Sequence, residues 1–281
     1  MPTNAETVII KHDRIHCLVP NLFRSQTKGV KRKSIDVDYD YNDNIKIMIR
    51  GFESLGADDL LFLQGILALC VNDGKLMRQP RRLTSGNRLW DTLKPKDEAI
   101  NQEFLSVKFK IGTLLRTVGL SIGKENRDNL KRSLIRMSNV SFYFEQKKPK
   151  RLWGASILGF SVREKEITVA LNLAITEAVC GGIYTVIPIE EVRKIKHAPA
   201  KLLHQRFCAI IDPGSNCSFF IDKLVQYVYG DEAEQIQSRQ AMNKRRGTIK
   251  KALNELAELG WTISENDGVF SVARPDLPEQ P

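Results

Sequence analysis

Residues Ser238–Thr262 read SRQAMNKRRGTIKKALNELAELGWT, which predicts one helix of about six turns. Met242, Ile249, Leu253 and Leu256 recur at helical spacing, with Ala252 and Leu259 beside them, so this stripe is expected to pack on a core. At about 100° per residue the opposite face carries Gln240, Asn243, Lys244, Gly247, Lys251 and Asn254. Such side chains suit a duplex groove, since Lys meets phosphates or guanine edges while Asn and Gln can pair bidentately with adenine. Arg245 and Arg246 fall nearer the core edge, where they suit backbone phosphates better than bases, and Lys250 completes the expected DNA-binding set on this helix. Glu255 and Glu258 come only in the last turns, which leaves the N-terminal half as the end that faces DNA. Gly260 stops the helix, and two short strands follow around the turn SENDG. A helix followed by a β-hairpin is the winged-helix arrangement. The same letters also fit a solvated amphipathic helix.

Working outward, the 281 residues suffice for two domains of ordinary size. The net charge of +10 on a background of both signs favours a polyanionic partner, nucleic acid above all. A membrane partner is not expected, because no apolar run approaches the ~20 residues needed to span a bilayer. The N-terminus lacks the features of a signal peptide, so a cytoplasmic location is expected. Cys17, Cys70, Cys180, Cys208 and Cys217 are scattered and form no C-x-x-C pair, which suits packed thiols in a reducing compartment.

Residues 1–34 read as an N-terminal arm. Its His12, His16 and Cys17 lack a downstream pair of ligands, so no metal is expected there. Leu18, Leu22 and Phe23 suit packing, and Lys28, Lys31, Arg32 and Lys33 form a basic run. Residues 35–180 are expected to form a first winged-helix domain. Alternating residues on either side of the N-D-N turn near Asn42 predict a hairpin, with Asp36, Asp38 and Asp40 on its exposed face. GADDLLFLQGILALC is a buried helix opened by Asp58 and Asp59 at its positive end. RQPRRLTSGNRLW is a basic loop, and KPKDEAINQEF a polar connector.

The informative part begins at Lys108. FKIGTLLRTVGL is a short helix, LSIG a turn, and KENRDNLKRSLIRMSNV a second helix with Leu130, Leu134 and Met137 inward. Asn129, Arg132 and Arg136 are expected on its outer side, with Lys131 nearer the core edge. The basic turn KKPKR then separates two strands, and its Lys147, Lys148, Lys150 and Arg151 are expected along phosphates as the wing of a helix-turn-helix. A solvated hairpin is the other reading. A third strand, EITVALN, leads into LAITEAVCGG. Residues 181–281 repeat this order of elements as a second winged-helix domain, in which APAKLLHQRFCAIID is an amphipathic helix and DEAEQIQ a polar bridge. The fold class expected is therefore α+β, with two tandem winged-helix domains.

Catalytic features are lacking. The sequence G-L-S-I-G-K-E at Gly119–Glu125 is one residue short of a phosphate-binding Walker loop and has Glu where a magnesium ligand is required. The four histidines include no His-x-His pair for a strand-nicking site, and His204 with Cys208 on one helix face reads as packing. Neither an enzyme nor a cofactor is expected.

The words HDRIHCLVPNLFR (His12–Arg24), LGADDLLFLQG (Leu55–Gly65), VALNLAITEAV (Val169–Val179), KLLHQRFCAIIDPG (Lys201–Gly214) and MNKRRGTIKKALNELAELGWT (Met242–Thr262) resemble the RepC-type replication initiators of broad-host-range IncQ plasmids. The resemblance implies a protein that binds the direct repeats, or iterons, of an origin in double-stranded DNA and helps open an adjacent A+T-rich segment. It further implies a plasmid-encoded helicase and primase as partners, two winged-helix domains, and a homodimer in the absence of DNA. By position, Met242–Lys251 would read the major groove and Arg127–Arg136 would make a neighbouring contact. A transcriptional regulator of the same fold is the alternative, since fold does not separate the two.

Overall fold

The computed structural model describes residues 8–27, 29–77, 89, 91–96, 103–230 and 238–277. Lys28, nearly all of the basic loop 78–90, much of the connector after it and the bridge 231–237 lie outside the described residues. The fold is a mixed α+β one. Its described elements are β1 (Ile9–Asp13), α1 (Arg14–Leu18), β2 (Ile35–Asp40), β3 (Ile45–Gly51), α2 (Ala57–Asp73), β4 (Lys75–Met77), β5 (Phe104–Lys110), α3 (Ile111–Thr117) and α4 (Lys124–Ser138). Then come β6 (Val140–Gln146), β7 (Arg151–Ser156), β8 (Leu158–Arg163), β9 (Glu166–Leu171), α5 (Leu173–Val179), β10 (Tyr184–Pro188) and α6 (Ile189–Lys194). The chain continues through α7 (Ala198–Ile210), β11 (Asn216–Phe220), α8 (Ile221–Tyr229), α9 (Arg239–Ala257), β12 (Thr262–Asn266) and β13 (Val269–Ala273).

Two helices occupy the centre. The sequence of α2 is apolar nearly all round, and Leu60, Leu61, Phe62, Leu63, Ile66 and Leu67 are buried on every side of it. Gly65 lets α3 come close, since a Cβ there would meet Val118 Cγ1 at 2.4 Å. Where an amphipathic helix was expected, α7 is buried all round from Leu202 to Ala209, charged residues included. One apolar cluster runs from Ile10 to Val272 and takes in residues of both helices. The segment expected as an extended arm is built into this body. Its strand β1 pairs antiparallel with β10, and Arg206 of α7 donates to the carbonyls of Leu18 and Val19 at the end of α1.

The chain follows one path twice. In the second half α7 leads to β11, which runs directly into α8; α9 follows, and the β12–β13 hairpin returns beside β11 in the order β11-β13-β12. In the first half α2 leads to β5, which runs directly into α3; after α4 it is β8–β9 that returns, in the order β4-β5-β9-β8. The register agrees as well. Phe220 at the end of β11 faces Val269 at the start of β13, and Lys110 at the end of β5 faces Glu166 at the start of β9. Each hairpin reverses between paired residues three apart, Arg163 with Glu166 and Asn266 with Val269, and each turn opens on a residue at positive φ, Glu164 at 54° and Asp267 at 48°. In both halves the first amide of the helix donates to the turn: Ile111 to the Lys165 carbonyl at 2.9 Å, Ile221 to that of Gly268 at 3.2 Å. The basic hairpin β6–β7, expected to be the wing of the first half, is instead inserted between α4 and β8. It joins β2 and β3 in a separate sheet of order β2-β3-β6-β7.

Three ionisable groups lie in the interior, and two of them tie separate elements together. Asp59, with no exposure, accepts from Ser133 Oγ at 2.6 Å, Arg136 Nη2 at 2.7 Å, Arg32 Nη1 at 2.8 Å and the Gly56 amide at 2.7 Å. His204 lies 2.7 Å from Glu191 Oε2, which also accepts from Trp261 Nε1 at 3.0 Å. Burial opposes charge on His204, but Cys208 and the Glu191 carboxylate outweigh it and raise its pKa to about 10. His12 goes the other way: burial, reinforced by His16, lowers it to about 4.

Replacing Asp59 with Ala leaves two inward guanidinium groups without their counter-charge, and is expected to destabilise the fold by about 3–5 kcal/mol in denaturant unfolding. Asp58→Ala, at an exposed neighbouring position, is expected to cost under about 1 kcal/mol. The two histidines set opposite pH limits. A raised folded pKa means that the contribution of His204 is complete below its ordinary 6.5 and is lost as pH rises towards 10. A depressed one means that the contribution of His12 is present above 6.5 and is lost as pH falls towards 4. Their joint contribution peaks near pH 6.5, and His204→Gln should flatten the alkaline limb of a Tm–pH profile while leaving the acid limb in place.

Candidate nucleic-acid interface

The helix α9 starts after Ser238 and packs Ile249, Ala252, Leu253 and Leu256 inward. Gly260, at φ 100°, turns the chain into β12. The C-terminal part of α9 is anchored on α7: Glu255 accepts from the amides of Lys196 and His197, and its Oε2 lies 2.9 Å from His197 Nδ1. The opposite face is free of such contacts. Gln240, Asn243, Lys244, Gly247, Lys251 and Asn254 are all exposed, and a Cβ added to Gly247 would meet nothing within 4 Å. Among the described residues neither Lys244 nor Lys251 makes an ion pair.

Three other basic residues of α9, Arg245, Arg246 and Lys250, are engaged. Arg246 donates Nε and Nη2 to the two carboxylate oxygens of Asp222, at the start of α8, at 2.8 and 2.7 Å. That hydrogen bond holds Asp222 below the usual carboxylate range and raises Arg246 in turn. Lys250 reaches both oxygens of Glu265 on β12 at 2.7 and 2.8 Å. Arg245 lies over the Tyr229 ring, 4.4 Å from its centroid. The face therefore has two uncompensated lysines on one flank and two carboxylate-bound cations on the other. Asp222 and Glu265 thus border the candidate face, although acidic residues well separated from α9 in sequence offer no periodic signal that marks them.

On α4, Leu130, Ser133, Leu134 and Met137 are buried. Arg127 and Arg132 are exposed, Asn129 is half-buried, and Arg132 Nη2 lies 2.5 Å from Asn129 Oδ1. Two expectations change here. Arg136 does not face outward: its side chain, 14% exposed, closes on Asp59. Lys131, expected at the core edge, is exposed. Beyond Arg132 the surface turns apolar, with Ile135 and Phe52 exposed around a cleft of about 270 Å³. Lys147, Lys148, Lys150 and Arg151 are exposed at the β6–β7 end as expected, but on the inserted sheet and not beside β5. Of the basic run before β2, Lys31 is exposed, whereas Arg32 is bound to Asp59. His16 stacks on Phe142 with ring centroids 4.1 Å apart and its Nδ1 lies 2.5 Å from Asp13, which explains it as part of the packing.

Two repeated helix–hairpin units around shared central helices define the class of architecture. Crystal structures of domains 2 and 3 of RctB resemble it, one of selenomethionine derivatives and one of residues 155–483, each with a TM-score of 0.55 at 12% identity. The alignments cover 91% and 93% of this chain and 95% and 96% of those chains, so the likeness extends over the fold as a whole. The profile of the family Replication protein C (RepC) matches residues 4–276, and the chain belongs to that family: it is a RepC-type replication initiator. No curated protein matches the chain. Among the described residues no helix is long and apolar enough to cross a membrane.

The charge pattern of α9 has a direct readout on an immobilised polyanion. Asp222→Asn and Glu265→Gln each remove one compensating charge, and both proteins are expected to leave a heparin column at higher salt than the unaltered chain. Lys251→Ala should leave it earlier. Identical elution of all of them would mean that this face does not meet the polyanion.

Proposed function

We propose that the chain is a non-enzymatic initiator of the IncQ plasmid type that binds the direct repeats of an origin in double-stranded DNA. In this reading its two repeated units are tandem winged-helix domains, divided near residues 180 and 181. The helix α9 reads bases in the major groove through Asn243, Lys244, Gly247 and Lys251, and α4 makes a neighbouring contact through Arg127, Asn129, Lys131 and Arg132. Lys and Arg position the duplex on phosphates while the amides and lysines specify sequence. Binding of several copies in phase strains the flanking duplex and favours opening of an A+T-rich segment, where the plasmid's helicase and primase load. The protein works in the bacterial cytoplasm and forms a homodimer away from DNA.

The observation that carries this reading is the exposed six-residue polar face of α9, with Lys244 and Lys251 making no ion pair among the described residues, in a chain of the RepC family. A groove-reading face needs side chains that are free to exchange water for bases; a purely structural face does not. The absence of a Walker loop and of a His-x-His pair from the sequence supports a role without turnover.

Footprinting on the cognate origin is expected to protect regularly spaced direct repeats beside an A+T-rich tract. Protection of an inverted repeat over a promoter would point to a transcriptional regulator instead. Lys244→Ala and Lys251→Ala should each weaken repeat binding, by about 1–3 kcal/mol with relaxed sequence preference wherever the lysine contacts a base. Unchanged binding in both would reject this face. Reproducible nicking of supercoiled DNA or ATP hydrolysis by the purified protein would overturn the non-enzymatic assignment.

A further inference from the structure

The doubled chain path gives the first half a hairpin of its own, and its chemistry differs from that of its counterpart. We propose that the β8–β9 turn and the adjoining end of β5 form a phosphate-binding site made by Lys110, Arg163 and Lys165, and that the more conspicuous basic end of β6–β7 does not share this role. The inference rests on the DNA-binding reading above and adds to it a surface which that reading leaves out.

Equivalence of position comes first. Lys110 closes β5 opposite the first residue of β9, as Phe220 closes β11 opposite the first residue of β13. Arg163 and Lys165 occupy the places of Asn266 and Gly268, and the Lys165 and Gly268 carbonyls each accept the first amide of the following helix. Each turn is thus fastened to the start of the helix that precedes the candidate reading helix, α3 before α4 and α8 before α9.

Charge is the second observation. Lys110, Arg163 and Lys165 are all exposed. The nearby Glu166 is occupied by Lys108, at 2.7 Å, which leaves Glu164 as the one carboxylate on the turn without an ion pair among the described residues. The equivalent surface of the second half has the opposite character: Phe220, Asn266 and Gly268 stand where the three cations are, and Glu265 and Asp267 flank them. Phosphates are attracted to the first hairpin and not to the second. In contrast, the β6–β7 end is fastened to the β2–β3 turn. Asn44 accepts the Lys148 amide at 2.8 Å, its own carbonyl accepts the Lys147 amide at 2.9 Å, and its side chain donates to the Lys148 carbonyl at 3.1 Å. That end belongs to the sheet whose edge strand exposes Asp36, Asp38 and Asp40, the first two of them paired with Arg50 and Lys46 on β3.

The test is the salt dependence of binding to a duplex carrying the origin repeats, followed by fluorescence anisotropy from low to moderate salt. The unaltered chain is compared with Lys110→Gln/Arg163→Gln/Lys165→Gln, with Lys147→Gln/Lys148→Gln/Lys150→Gln, and with Arg163→Gln alone as a minimal change at an exposed position. Each phosphate contact contributes about 0.9 to the slope of log K against log salt, so the first triple variant is expected to flatten it by about 2 to 3 and Arg163→Gln by about 1. The ratio of repeat to random-duplex affinity should stay the same, because phosphates carry no sequence information. The Lys147 triple variant should keep the original slope. An unchanged slope in the first triple variant and in Arg163→Gln overturns the proposal, as does a flattening equal to or greater than theirs in the Lys147 triple variant. Failure of the unaltered chain to bind the repeats is a separate outcome, which removes the DNA-binding reading and this inference with it.

Discussion

The carboxylate of Asp59 is shut off from solvent and satisfies itself entirely within the protein, from the Gly56 amide, the Ser133 hydroxyl and the guanidinium groups of Arg32 and Arg136. An unpaired charge in that position would be costly, so the segments that supply its partners must be present together. Those segments are the start of α2, the chain before β2 and the side of α4 that carries Ser133 and Arg136. One carboxylate thereby orients the candidate reading helix of the first half against the central helix. It also decides that Arg136 is not available to a ligand, while its neighbour Arg132 is. In the second half Glu191 plays the corresponding part, joining α6 to His204 of α7 and to Trp261 just beyond α9.

On this frame the same path is laid down twice, and the copies have diverged where they meet solvent. Backbone features persist: a strand running straight into a helix, a hairpin returning in the same register, and a helix amide fastened to the turn. Side chains do not. The first hairpin turn presents cations, whereas the second presents carboxylates and glycine. The β6–β7 hairpin has also been inserted into the first copy, where it joins β2 and β3 in a sheet separate from that of β5. Backbone hydrogen bonding preserves the shared path because it is indifferent to the side chains on the other side of the strand.

Electrostatics on α9 show a division of labour within one surface. Arg246 and Lys250 are bound by Asp222 and Glu265, and Arg245 lies against Tyr229, so these cations orient or pack. Lys244 and Lys251, with the amides of Asn243, Gln240 and Asn254, are left for a partner. On the proposed DNA-binding role, local compensation of this kind would limit the indiscriminate attraction of a strongly basic chain to any polyanion and shift the discrimination onto groups that recognise shape and hydrogen bonding.

Periodicity alone determined the two faces of α9, because its apolar positions are dense and consistently spaced: Ile249, Leu253 and Leu256 are inward, and the six polar residues outward. It likewise placed α2, the β2–β3 hairpin and the short helix ending near Gly119, where strong local signals coincide. It put Arg136 outward and Lys131 at the core edge, and the structure reverses the two. On a wheel centred on the buried residues of α4 they stand at roughly 110° to either side, and only the arrival of Asp59 beside one of them broke that symmetry. Nor did it show which hairpin returns to β5. Strand pairing joins segments distant in sequence through backbone groups that every residue carries, so the conspicuous KKPKR turn attracted the assignment while the β8–β9 hairpin held the position. The buried ion pairs, the surroundings of α7 and the partners of Arg246 were equally beyond local reading. Each depends on what another part of the chain brings to within hydrogen-bonding distance, and only the folded structure decides that.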